Sequence, residues 1–253
     1  MINIVIPMAG AGSRFAKEGY KDPKPLIPID GEPMIKLVIS NLTPSQEHKF
    51  IFICQQKHVE EYGLKSLLSE WSPNCEIVEI DGLTEGAACT VLKAEKFIDN
   101  DAPLMIANSD QYVDVSIDEY LSTMQSQSLD GLIMTMKADD PKWSFVGLSD
   151  DALVTRVVEK EVISDEATVG IYNFARGADF VAAAKDMIDK KLMVNGEYYV
   201  APAYNQKLSD TWKVGIFNIG SEASGMYGLG IPSDLELFKS LPVCQQALLR
   251  CVK

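Results

Sequence analysis

A loop of small residues follows the first apolar run of this chain of 253 residues. The run covers residues 2–6 and predicts a buried strand. The loop reads Ala9-Gly10-Ala11-Gly12-Ser13, and the basic residues Arg14 and Lys24 come after it. Small residues let backbone N–H groups approach an anion, while Arg and Lys form charge-assisted bonds to phosphate. The pattern therefore predicts a polyphosphate site, most simply one for a nucleoside triphosphate.

Two common glycine motifs do not describe this loop. The dinucleotide-binding motif G-x-G-x-x-G has a third glycine where this chain has Phe15, and the Walker loop G-x-x-x-x-G-K-[ST] is absent from the sequence. A tight turn between a strand and a helix would also explain Gly10 and Gly12 alone. Arg14 and the downstream Pro23-Lys24-Pro25 favour a phosphate site over that plain turn.

A carboxylate stands at the end of another apolar run. Residues 104–108 predict a buried strand, and Asn108-Ser109-Asp110 close it. Mg²⁺ is commonly held by one or two carboxylates together with substrate phosphates. Asp110 is therefore a candidate ligand for Mg²⁺ beside the phosphate loop, and the alternative is an ordinary aspartate in a strand-end turn.

The pattern A-G-x-G-[ST]-R-[FLM], followed by P-K-P-L, resembles the opening of the sugar nucleotidyltransferases, also called nucleoside-diphosphate-sugar pyrophosphorylases. The resemblance covers most of the chain and thins after about residue 200. It implies that Arg14 holds the β- and γ-phosphates, Lys24 the α-phosphate and Asp110 the catalytic metal. The implied fold is a three-layer α/β/α Rossmann-like nucleotidyltransferase fold with a mixed, mostly parallel central sheet.

The base of the nucleotide is expected near a second segment of small residues. Residues 83–88 are similar to the family's G-[LT]-A-x-A segment, which meets the base through its backbone at the start of a helix. Asp81 or Thr84 could hydrogen-bond the base edge, and Gln55 is a weaker candidate. The base stays open among those of CTP, UTP and dTTP. The expected nucleotide contacts are Ala9, Gly10, Ala11, Gly12, Ser13, Gln55, Asp81, Thr84, Gly86, Ala87 and Ser109.

Glu159-Lys160 matches a Glu-Lys pair of the same family. The resemblance implies that Lys160 contacts the phosphate of the acceptor and that Glu159 contacts its sugar. The family's proline after the lysine is replaced here by Glu161, so the shape of this loop is expected to differ. A solvent-exposed hairpin of charged residues is the alternative interpretation.

Two further segments of the second half resemble parts of the acceptor site. Gly170 matches a glycine in the strand that lies against the sugar, and Glu197 matches the glutamate that binds sugar hydroxyls. Tyr198 and Tyr199 could offer a flat face to an acceptor, although two tyrosines of the core would explain them equally well. The predicted acceptor-binding residues are Glu159, Lys160, Gly170, Glu197 and Tyr198.

One position departs from the family pattern. Relatives usually have an aspartate two residues before a G-[TI]-P-x-D-L turn, and that aspartate completes the metal site. Here the turn covers residues 230–235, and Gly228 occupies the place of the aspartate. Three explanations stay open: another acidic residue substitutes, phosphate oxygens and water complete the metal site, or the acceptor is not an ordinary hexose 1-phosphate.

Predicted strands and helices alternate through the first half of the chain. Such alternation is typical of a mostly parallel sheet with helices on both faces, and ligands of such sheets lie beyond the carboxyl ends of the strands. Residues 58–70 predict one of these helices. In the second half, Ser233 is expected to cap a helix over residues 233–241.

The second half is less regular than the first and predicts a mixed sheet. It contains no hexapeptide-repeat tail, which some relatives carry as a second domain. We expect a single domain over residues 1–253, with a nucleotide-binding half at about 1–140 and an acceptor-binding half at about 141–253.

The composition is that of a folded protein with an acidic surface. The net charge of −13 disfavours nucleic acid and anionic membranes as partners, and no segment is apolar enough to span a bilayer. No secretory leader is visible at the N-terminus. The five cysteines are an odd number without C-x-x-C spacing, which favours reduced thiols and a cytoplasmic location. A homo-oligomer stays open.

These observations predict a Mg²⁺-dependent nucleotidyltransferase. It would join a nucleoside triphosphate to a sugar phosphate or similar phosphorylated acceptor, release pyrophosphate and make a nucleotide-activated precursor of surface polysaccharide. Because the second pKa of a phosphate is about 6, no general base is required, which agrees with the presence of only two histidines.

Two other functions stay open. One is a catalytically silent subunit that binds nucleotide or sugar phosphate, since Gly228 replaces a metal ligand. The other is a glycosyltransferase of similar fold that uses a nucleotide sugar. Such enzymes usually carry an Asp-x-Asp metal motif, and Asp110-Gln111-Tyr112 lacks the second aspartate.

Overall fold

A mixed sheet of eleven strands forms the centre of the computed structural model, which describes residues 1–208 and 211–251. The strands are β1 (Ile2–Pro7), β2 (Pro28–Ile29), β3 (Glu32–Pro33), β4 (His48–Gln55), β5 (Glu76–Ile80), β6 (Leu104–Ala107), β7 (Gln111–Val113), β8 (Gly131–Lys137), β9 (Ser144–Leu148), β10 (Val154–Glu159), β11 (Glu166–Phe174), β12 (Val214–Glu222) and β13 (Gly225–Gly228). Of these, β2 and β3 form a separate hairpin.

Helices cover both faces of the sheet. They are α1 (Ser13–Lys17), α2 (Met34–Leu42), α3 (Gln56–Tyr62), α4 (Leu64–Trp71), α5 (Ala87–Leu92), α6 (Glu95–Ile98), α7 (Ile117–Ser126), α8 (Gly177–Asp189), α9 (Pro232–Ser240) and α10 (Pro242–Cys251), with short 3-10 helices at Lys24–Leu26 and Ala201–Gln206. None of these described helices is long and apolar enough to cross a membrane.

The strand order along the sheet is β5-β4-β1-β6-β11-β8-β12-β13-β7, and β9 joins it through β11 with β10 at its side. All pairs among β5, β4, β1 and β6 are parallel, as are β8–β12 and β12–β13. Along this path of described strands, only β11 and β7 run against the others. The expected mixed, mostly parallel Rossmann-like sheet is thereby confirmed.

Alternating side chains of β1 connect the sheet to helices on both faces. Ile4 and Ile6 are fully buried in one apolar cluster, which includes residues of α2, α3, α4 and α7. Val5 is fully buried in a second cluster on the opposite face, with residues of α5, α6 and α8. Burial of each such side chain stabilises the fold by roughly 1.5–3 kcal/mol. Apolar residues on both faces of β1 therefore attach helices to both faces of the sheet. The result is the expected α/β/α arrangement of three layers.

A third apolar cluster lies beneath the glycine-rich loop. Phe15 of α1, Tyr112 of β7 and Leu235 of α9 are each 1% exposed and belong to this cluster, together with Leu229. The ring centroids of Tyr112 and Phe238 are 5.6 Å apart. The cluster therefore joins the loop after β1 to the start of α9, near the other end of the chain.

Two expectations about helices are wrong. The helix expected at 58–70 is divided into α3 and α4, because Gly63 between them has a left-handed φ of 63°. Ser233 lies inside α9 and does not cap it, since Ile231 precedes the helix and Pro232 begins it. A proline suits this first position because its missing N–H has no partner there in any helix.

Candidate active site

A cleft of about 540 Å³ opens at the carboxyl ends of several strands. Arg14 of α1, Asn108 after β6 and Gly228 at the end of β13 all line it. Binding sites of mostly parallel sheets lie at this edge. The structure therefore brings the helix after the glycine-rich loop and the segment after β6 to one place, as the alternation of elements predicts.

The glycine-rich loop exposes its backbone where it enters α1. Gly12 precedes this helix with a left-handed φ of 61°, and a Cβ there would lie 3.4 Å from Cβ of Lys24. Glycine thus permits the turn, and the Lys24 segment packs at an ordinary contact distance from it. A Cβ on Gly10 would meet nothing within 4 Å. Ala9 is buried, and the exposed residues of the loop are Gly10, Ala11 and Ser13.

Gln55 joins the glycine-rich loop to the segment expected to hold the base. Its Nε2 donates hydrogen bonds to the carbonyl oxygens of Ala9 at 2.6 Å and Gly82 at 2.8 Å. Both donors of the amide are therefore used on backbone, and only Oε1 remains for a base. The structure gives Gln55 a positioning role between the two loops.

Thr84 and Gly86 hold the start of α5 against the second half of the chain. Thr84 Oγ1 donates to the carbonyl of Gly86 at 3.0 Å. Gly86 has a φ of 123°, and a Cβ there would lie 2.5 Å from the carbonyl oxygen of Tyr198. The backbone N–H of Tyr198 donates to the carbonyl oxygen of Glu85 at 2.8 Å, and the backbone N–H of Ala88 donates to the carbonyl oxygen of Tyr198 at 3.0 Å. Glycine is required here because a side chain has no room.

Asp81 and Thr84 line a separate hollow of about 660 Å³ and not the cleft with Arg14. Glu79 and Glu85 line the same hollow, and with Asp81 they outnumber its one lysine, Lys93, so the wall has a net negative charge. Like charges repel, and this hollow therefore does not suit a triphosphate chain, although it is larger than the cleft. The cations that suit phosphate lie in the cleft.

Lys24 and Asp110 form an ion pair at the edge of the cleft. Lys24 Nζ lies 2.6 Å from Asp110 Oδ2, and their side chains are 22% and 23% exposed. Lys24 begins a 3-10 turn between Pro23 and Pro25, and these rings restrict the backbone around it. The carbonyl oxygen of Asp110 accepts a hydrogen bond from Leu229 N at 2.8 Å. Two residues that the sequence assigns to phosphate and metal thus lie in contact.

Three cations line the cleft in a chain of net charge −13. Arg14 is exposed and has no ion-pair partner within the residues that the structure describes. Lys142 pairs with Glu222 at 2.9 Å. Nζ of Lys160 donates to the carbonyl oxygen of Lys142 at 2.8 Å. Three carboxylates, those of Glu18, Asp110 and Asp234, line the cleft as well. Arg14 is therefore the cation of the lining that is most available to a polyphosphate.

A smaller hollow of about 170 Å³ adjoins the cleft, and both are lined by Asn108, Lys142 and Trp143. Glu159 and Gly170, which the sequence assigns to the acceptor, line this hollow. Lys160 lines the neighbouring cleft, and Glu197 is exposed and lines neither. Ser109, expected at the nucleotide, is 3% exposed and does not reach the cleft surface.

The carboxylate of Glu159 is already engaged by its neighbours. Glu159 is 8% exposed, and Ser144 Oγ donates a short hydrogen bond to it. Nζ of Lys160 lies 3.5 Å from its other oxygen. Lys160 has a left-handed φ of 61°, a conformation that residues with a Cβ rarely adopt. Glu159 and Lys160 are therefore in contact, and Ser144 donates to the other oxygen of the carboxylate.

Tyr199, and not Tyr198, lines the smaller hollow. Tyr198 is 5% exposed within the apolar cluster that includes α8, and its hydroxyl donates to the carbonyl of Ile188 at 3.5 Å. Burial and a hydrogen bond with Glu197 raise the pKa of Tyr199 to about 12. Nζ of Lys160 lies 5.8 Å from the centroid of the Tyr199 ring. Of the two tyrosines, Tyr199 is therefore the one that the structure places at the hollow.

Two buried donors near the cleft lack partners. Gln111 Nε2 and Trp143 Nε1 are buried and have no hydrogen-bond partner in the part of the chain that the structure describes. Both residues line the cleft. A Cβ on Gly170, whose φ is 82°, would overlap the amide of Asn108 and lie 2.8 Å from Gln111 Oε1, so glycine lets these amides approach. Unpaired buried donors are costly, and an oxygen of a ligand would satisfy them.

Sequence reasoning missed several residues of the site, and they are Lys142, Trp143, Ser144 and Asp234. The first three follow Pro141 at the start of β9, where the basic and aromatic neighbours were the only signal. Asp234 belongs to the G-[TI]-P-x-D-L turn, but nothing in that pattern says which way its carboxylate faces.

Two glycines make room for two carboxylates at one wall of the cleft. A Cβ on Gly230 would lie 2.6 Å from Asp110 Oδ2, and a Cβ on Gly228 would lie 3.1 Å from Asp234 Oδ2. Burial, and then the negative charge of Glu222, raise the pKa of Asp234. An acidic residue therefore lies beside Gly228, where the aspartate of the family pattern is missing.

Mg²⁺ suits the donors at this wall. No group of three or more His, Cys, Asp or Glu side chains within residues 1–208 and 211–251 forms a metal site by itself. Mg²⁺ does not require one, because it commonly binds one or two carboxylates together with phosphates and water. Asp110 already holds a cation, the ammonium of Lys24, at 2.6 Å, and the absence of a Cβ on Gly230 gives its carboxylate room. Asp110 would hold the ion.

The fold and the cleft together define a Rossmann-like α/β protein with cations gathered at the carboxyl ends of its strands. Residues 4–213 match the family described as Nucleotidyl transferase, and the chain belongs to that family. The resemblance seen in the sequence motifs is thereby confirmed.

Individual relatives agree with this assignment. The chain is 28% identical over 179 residues to the bifunctional protein GlmU of Methanococcus maripaludis, a match that covers 68% of this chain and 39% of GlmU. The chain thus spans about two fifths of the length of the curated relatives that it matches.

Solved structures share the fold over nearly the whole chain. The nucleoside-diphosphate-sugar pyrophosphorylase from Vibrio cholerae RC9 is 25% identical with a TM-score of 0.79, over 94% of this chain and 100% of that one. A Bacillus anthracis protein described as a glucose-1-phosphate thymidylyltransferase is 19% identical with a TM-score of 0.73, over 95% and 96% of the two chains.

Proposed function

We propose that the protein is a nucleotidyltransferase that joins a nucleoside triphosphate to a phosphorylated acceptor and releases pyrophosphate. The observation that carries the proposal is the meeting of Arg14, Lys160 and the Lys24–Asp110 pair around one cleft. A triphosphate requires several cations, and the acceptor phosphate requires one more. The adjoining hollow with Glu159 offers a place for the rest of the acceptor.

The reaction is an in-line displacement at the α-phosphorus. An oxygen of the acceptor phosphate forms the new P–O bond while the bond from the α-phosphorus to the bridging oxygen breaks. Pyrophosphate leaves with the electron pair of that bond. Because the acceptor phosphate is largely ionised at neutral pH, no side chain has to remove a proton. Catalysis then depends on positioning and on neutralisation of charge.

Three cations have a place in this scheme. Arg14 holds the β- and γ-phosphates, Lys24 holds the α-phosphate and Lys160 holds the phosphate of the acceptor. Mg²⁺, held by Asp110, would supply positive charge to the phosphate oxygens. Gln111, whose Nε2 lacks a partner, donates to an oxygen of a ligand in the cleft.

The two halves of the chain divide the substrates. Residues 1–140 provide the phosphate loop, Gln55 and Asp110 for the nucleotide, and residues 141–253 provide Glu159 and Lys160 for the acceptor. The backbone bonds between Tyr198 and the start of α5 fasten the halves together.

The acceptor differs from an ordinary hexose 1-phosphate. Ser144 donates to Oε2 of Glu159, so this carboxylate has fewer acceptor positions for sugar hydroxyls than the family pattern implies. The hollow is also small, about 170 Å³. These features favour a sugar phosphate other than glucose 1-phosphate, or a small phosphate without a sugar. The product would be a nucleotide-activated precursor of surface polysaccharide. The name of the Vibrio cholerae protein, a nucleoside-diphosphate-sugar pyrophosphorylase, supports only the nucleotide-sugar part of this proposal.

A pyrophosphate-release assay tests the proposal. CTP, UTP and dTTP are each mixed with a panel of phosphorylated acceptors, and products are identified by mass spectrometry. We expect release only when the right triphosphate, an acceptor and Mg²⁺ are all present. Binding of triphosphate without release from any pair would indicate a silent subunit. In a parallel reaction that contains a nucleotide sugar in place of the triphosphate, transfer of the sugar to an acceptor would indicate a glycosyltransferase.

A further inference from the structure

The short segment after β13 presents two glycines on one face. Leu229 between them is fully buried in the apolar cluster beneath the loop. Since alternate residues of an extended chain point to opposite faces, Gly228 and Gly230 both face away from that cluster, and both line the cleft. The carboxylates of Asp234 and Asp110 lie on this same face, each beside one glycine.

The carboxylate of Asp234 has an oxygen free for a ligand. Ser233 Oγ donates to its Oδ1 at a long 3.3 Å. No other hydrogen bond or ion pair reaches Asp234 within residues 1–208 and 211–251. Lys142, which lines the same cleft, bonds to Glu222 instead. Oδ2 of Asp234 therefore has no partner.

We infer that Asp234 is the second carboxylate for the divalent cation that accompanies the triphosphate, and that it serves in the place left open by Gly228. The inference deepens the proposed function and rests on it. Two carboxylates and phosphate oxygens are hard ligands of the kind that Mg²⁺ prefers. Gln111, which is 4% exposed and has an unpaired Nε2, lines the same cleft and suits a phosphate oxygen beside that cation.

A purely structural role for Asp234 makes a different prediction. Asp234 lies in the first turn of α9, where a negative charge interacts favourably with the helix dipole. In that role its loss would change stability alone. In the metal role, a carboxylate moved to position 228 would replace it. The chain permits this exchange, because φ of Gly228 is not left-handed and the three atoms nearest to an added Cβ all belong to Asp234.

The test measures the binding of Mn²⁺, a paramagnetic substitute for Mg²⁺, in the presence of inorganic triphosphate, which supplies the phosphate oxygens. Binding is followed through the loss of the electron paramagnetic resonance signal of the free ion, relative to a blank without protein. Four proteins are compared, and they are the wild type, Asp234→Ala, the double variant Gly228→Asp/Asp234→Ala and the control Glu236→Ala. Glu236 is exposed on the same helix and pairs with Lys239 at 3.0 Å. Thermal unfolding of each protein reports whether it folds.

We expect Asp234→Ala to weaken Mn²⁺ binding by about 10-fold or more, because a charged ligand is lost. The double variant should recover binding to within about threefold of the wild type, and Glu236→Ala should bind as the wild type does. Should Asp234→Ala fail to fold, Asp234→Asn keeps the shape of the side chain and should show the same loss.

Other results would overturn the inference. They are equal Mn²⁺ affinity in the wild type and the folded Asp234 variant, a folded double variant as weak as the single one, or a wild type that binds no Mn²⁺. Pyrophosphate release by the wild type is measured separately. If the wild type releases none while the Mn²⁺ results hold, the proposed function fails and the metal site stands. If the wild type releases pyrophosphate while Asp234→Ala binds Mn²⁺ normally, the inference about Asp234 fails and the proposed function stands.

Discussion

The ammonium of Lys24 donates a hydrogen bond of 2.6 Å to Oδ2 of Asp110, across 86 positions of the sequence. Both side chains are partly exposed, and ion pairs of this kind contribute only about 0–1 kcal/mol to stability. The contact therefore matters more for placement, because it holds the cation after the first loop against the carboxylate after β6. Loss of either residue should affect the reaction and leave the fold intact.

Lys24→Ala should lower turnover by about 100-fold or more, because a cation that opposes negative charge in the transition state is lost. The free energy of unfolding should change by less than about 1 kcal/mol. Pyrophosphate release and urea unfolding measure these two effects. Lys21→Ala, which alters an exposed lysine of the same segment, is the control. Near-normal turnover in the Lys24 variant would remove this residue from the site.

Arg14→Ala should also lower turnover by about 100-fold or more. Because Arg14 is exposed and unpaired in the described part of the chain, its loss leaves no buried charge without a partner. Rates are measured over a range of triphosphate concentrations, and Lys17→Ala on the same helix is the control. An unchanged kcat/KM for the triphosphate would contradict the assignment of Arg14 to the phosphates.

Asp110→Asn should abolish activity, because a neutral amide neither binds Mg²⁺ as a carboxylate does nor forms an ion pair with Lys24. Excess Mg²⁺ should not restore the rate fully. The measurement is pyrophosphate release at increasing Mg²⁺, with Asp114→Asn, an exposed carboxylate after β7, as the control. A wild-type enzyme that runs unchanged in excess chelator would show that the metal proposal is wrong.

Glucose 1-phosphate should be a poor acceptor for the wild type, with kcat/KM below roughly 10⁴ M⁻¹s⁻¹, the lower end of the common range. Ser144→Gly should raise that value, because it removes a competing donor from the buried carboxylate of Glu159. Rates are compared across acceptors at a fixed triphosphate concentration, with Ser149→Gly, an exposed serine, as the control. If wild-type protein uses glucose 1-phosphate as well as its best acceptor, the argument from Gly228 and Ser144 fails.

Gly86→Ala should destabilise the fold by about 2 kcal/mol or more, because its φ is unsuited to a side chain and the methyl would overlap the backbone of Tyr198. Gly10→Ala is the matched control, since its φ is not left-handed and an added methyl meets nothing within 4 Å. Urea unfolding measures both. Equal stability of the two variants would mean that α5 and residue 198 can move apart freely.

Local signals were enough to predict the first strand, the turn of small residues after it and the position of Asp110 after a strand. An apolar run at 2–6 and the small residues after it determine a buried strand and an exposed backbone turn. A carboxylate at the end of another run needs only the rule that strand ends meet at one edge of a parallel sheet. These parts depend on neighbours in sequence, and the structure has them where the pattern predicts.

Other parts depend on packing between distant segments. The backbone hydrogen bonds between Tyr198 and the start of α5 determine that Tyr199, and not Tyr198, faces the hollow. A sequence does not distinguish two neighbouring tyrosines in this way. Asp234 reaches Gly228 only because β13 and α9 lie against the strand that follows Asp110. No periodicity or motif encodes such a contact, since it follows from the order of strands in the sheet.

β7 begins directly after Asp110 but, among the described strands, pairs only with β13 near the other end of the chain. A polypeptide emerging from the ribosome would therefore complete β1 and its loop early, while the strand beside Asp110 waits for residues 225–228. Phe15 likewise needs Leu235 before its apolar cluster can close. The groups proposed for the triphosphate are synthesised first and acquire their arrangement last. A chain that stops after β12 would retain nearly all of those groups but would lack β13 and α9, which hold them in their relative positions.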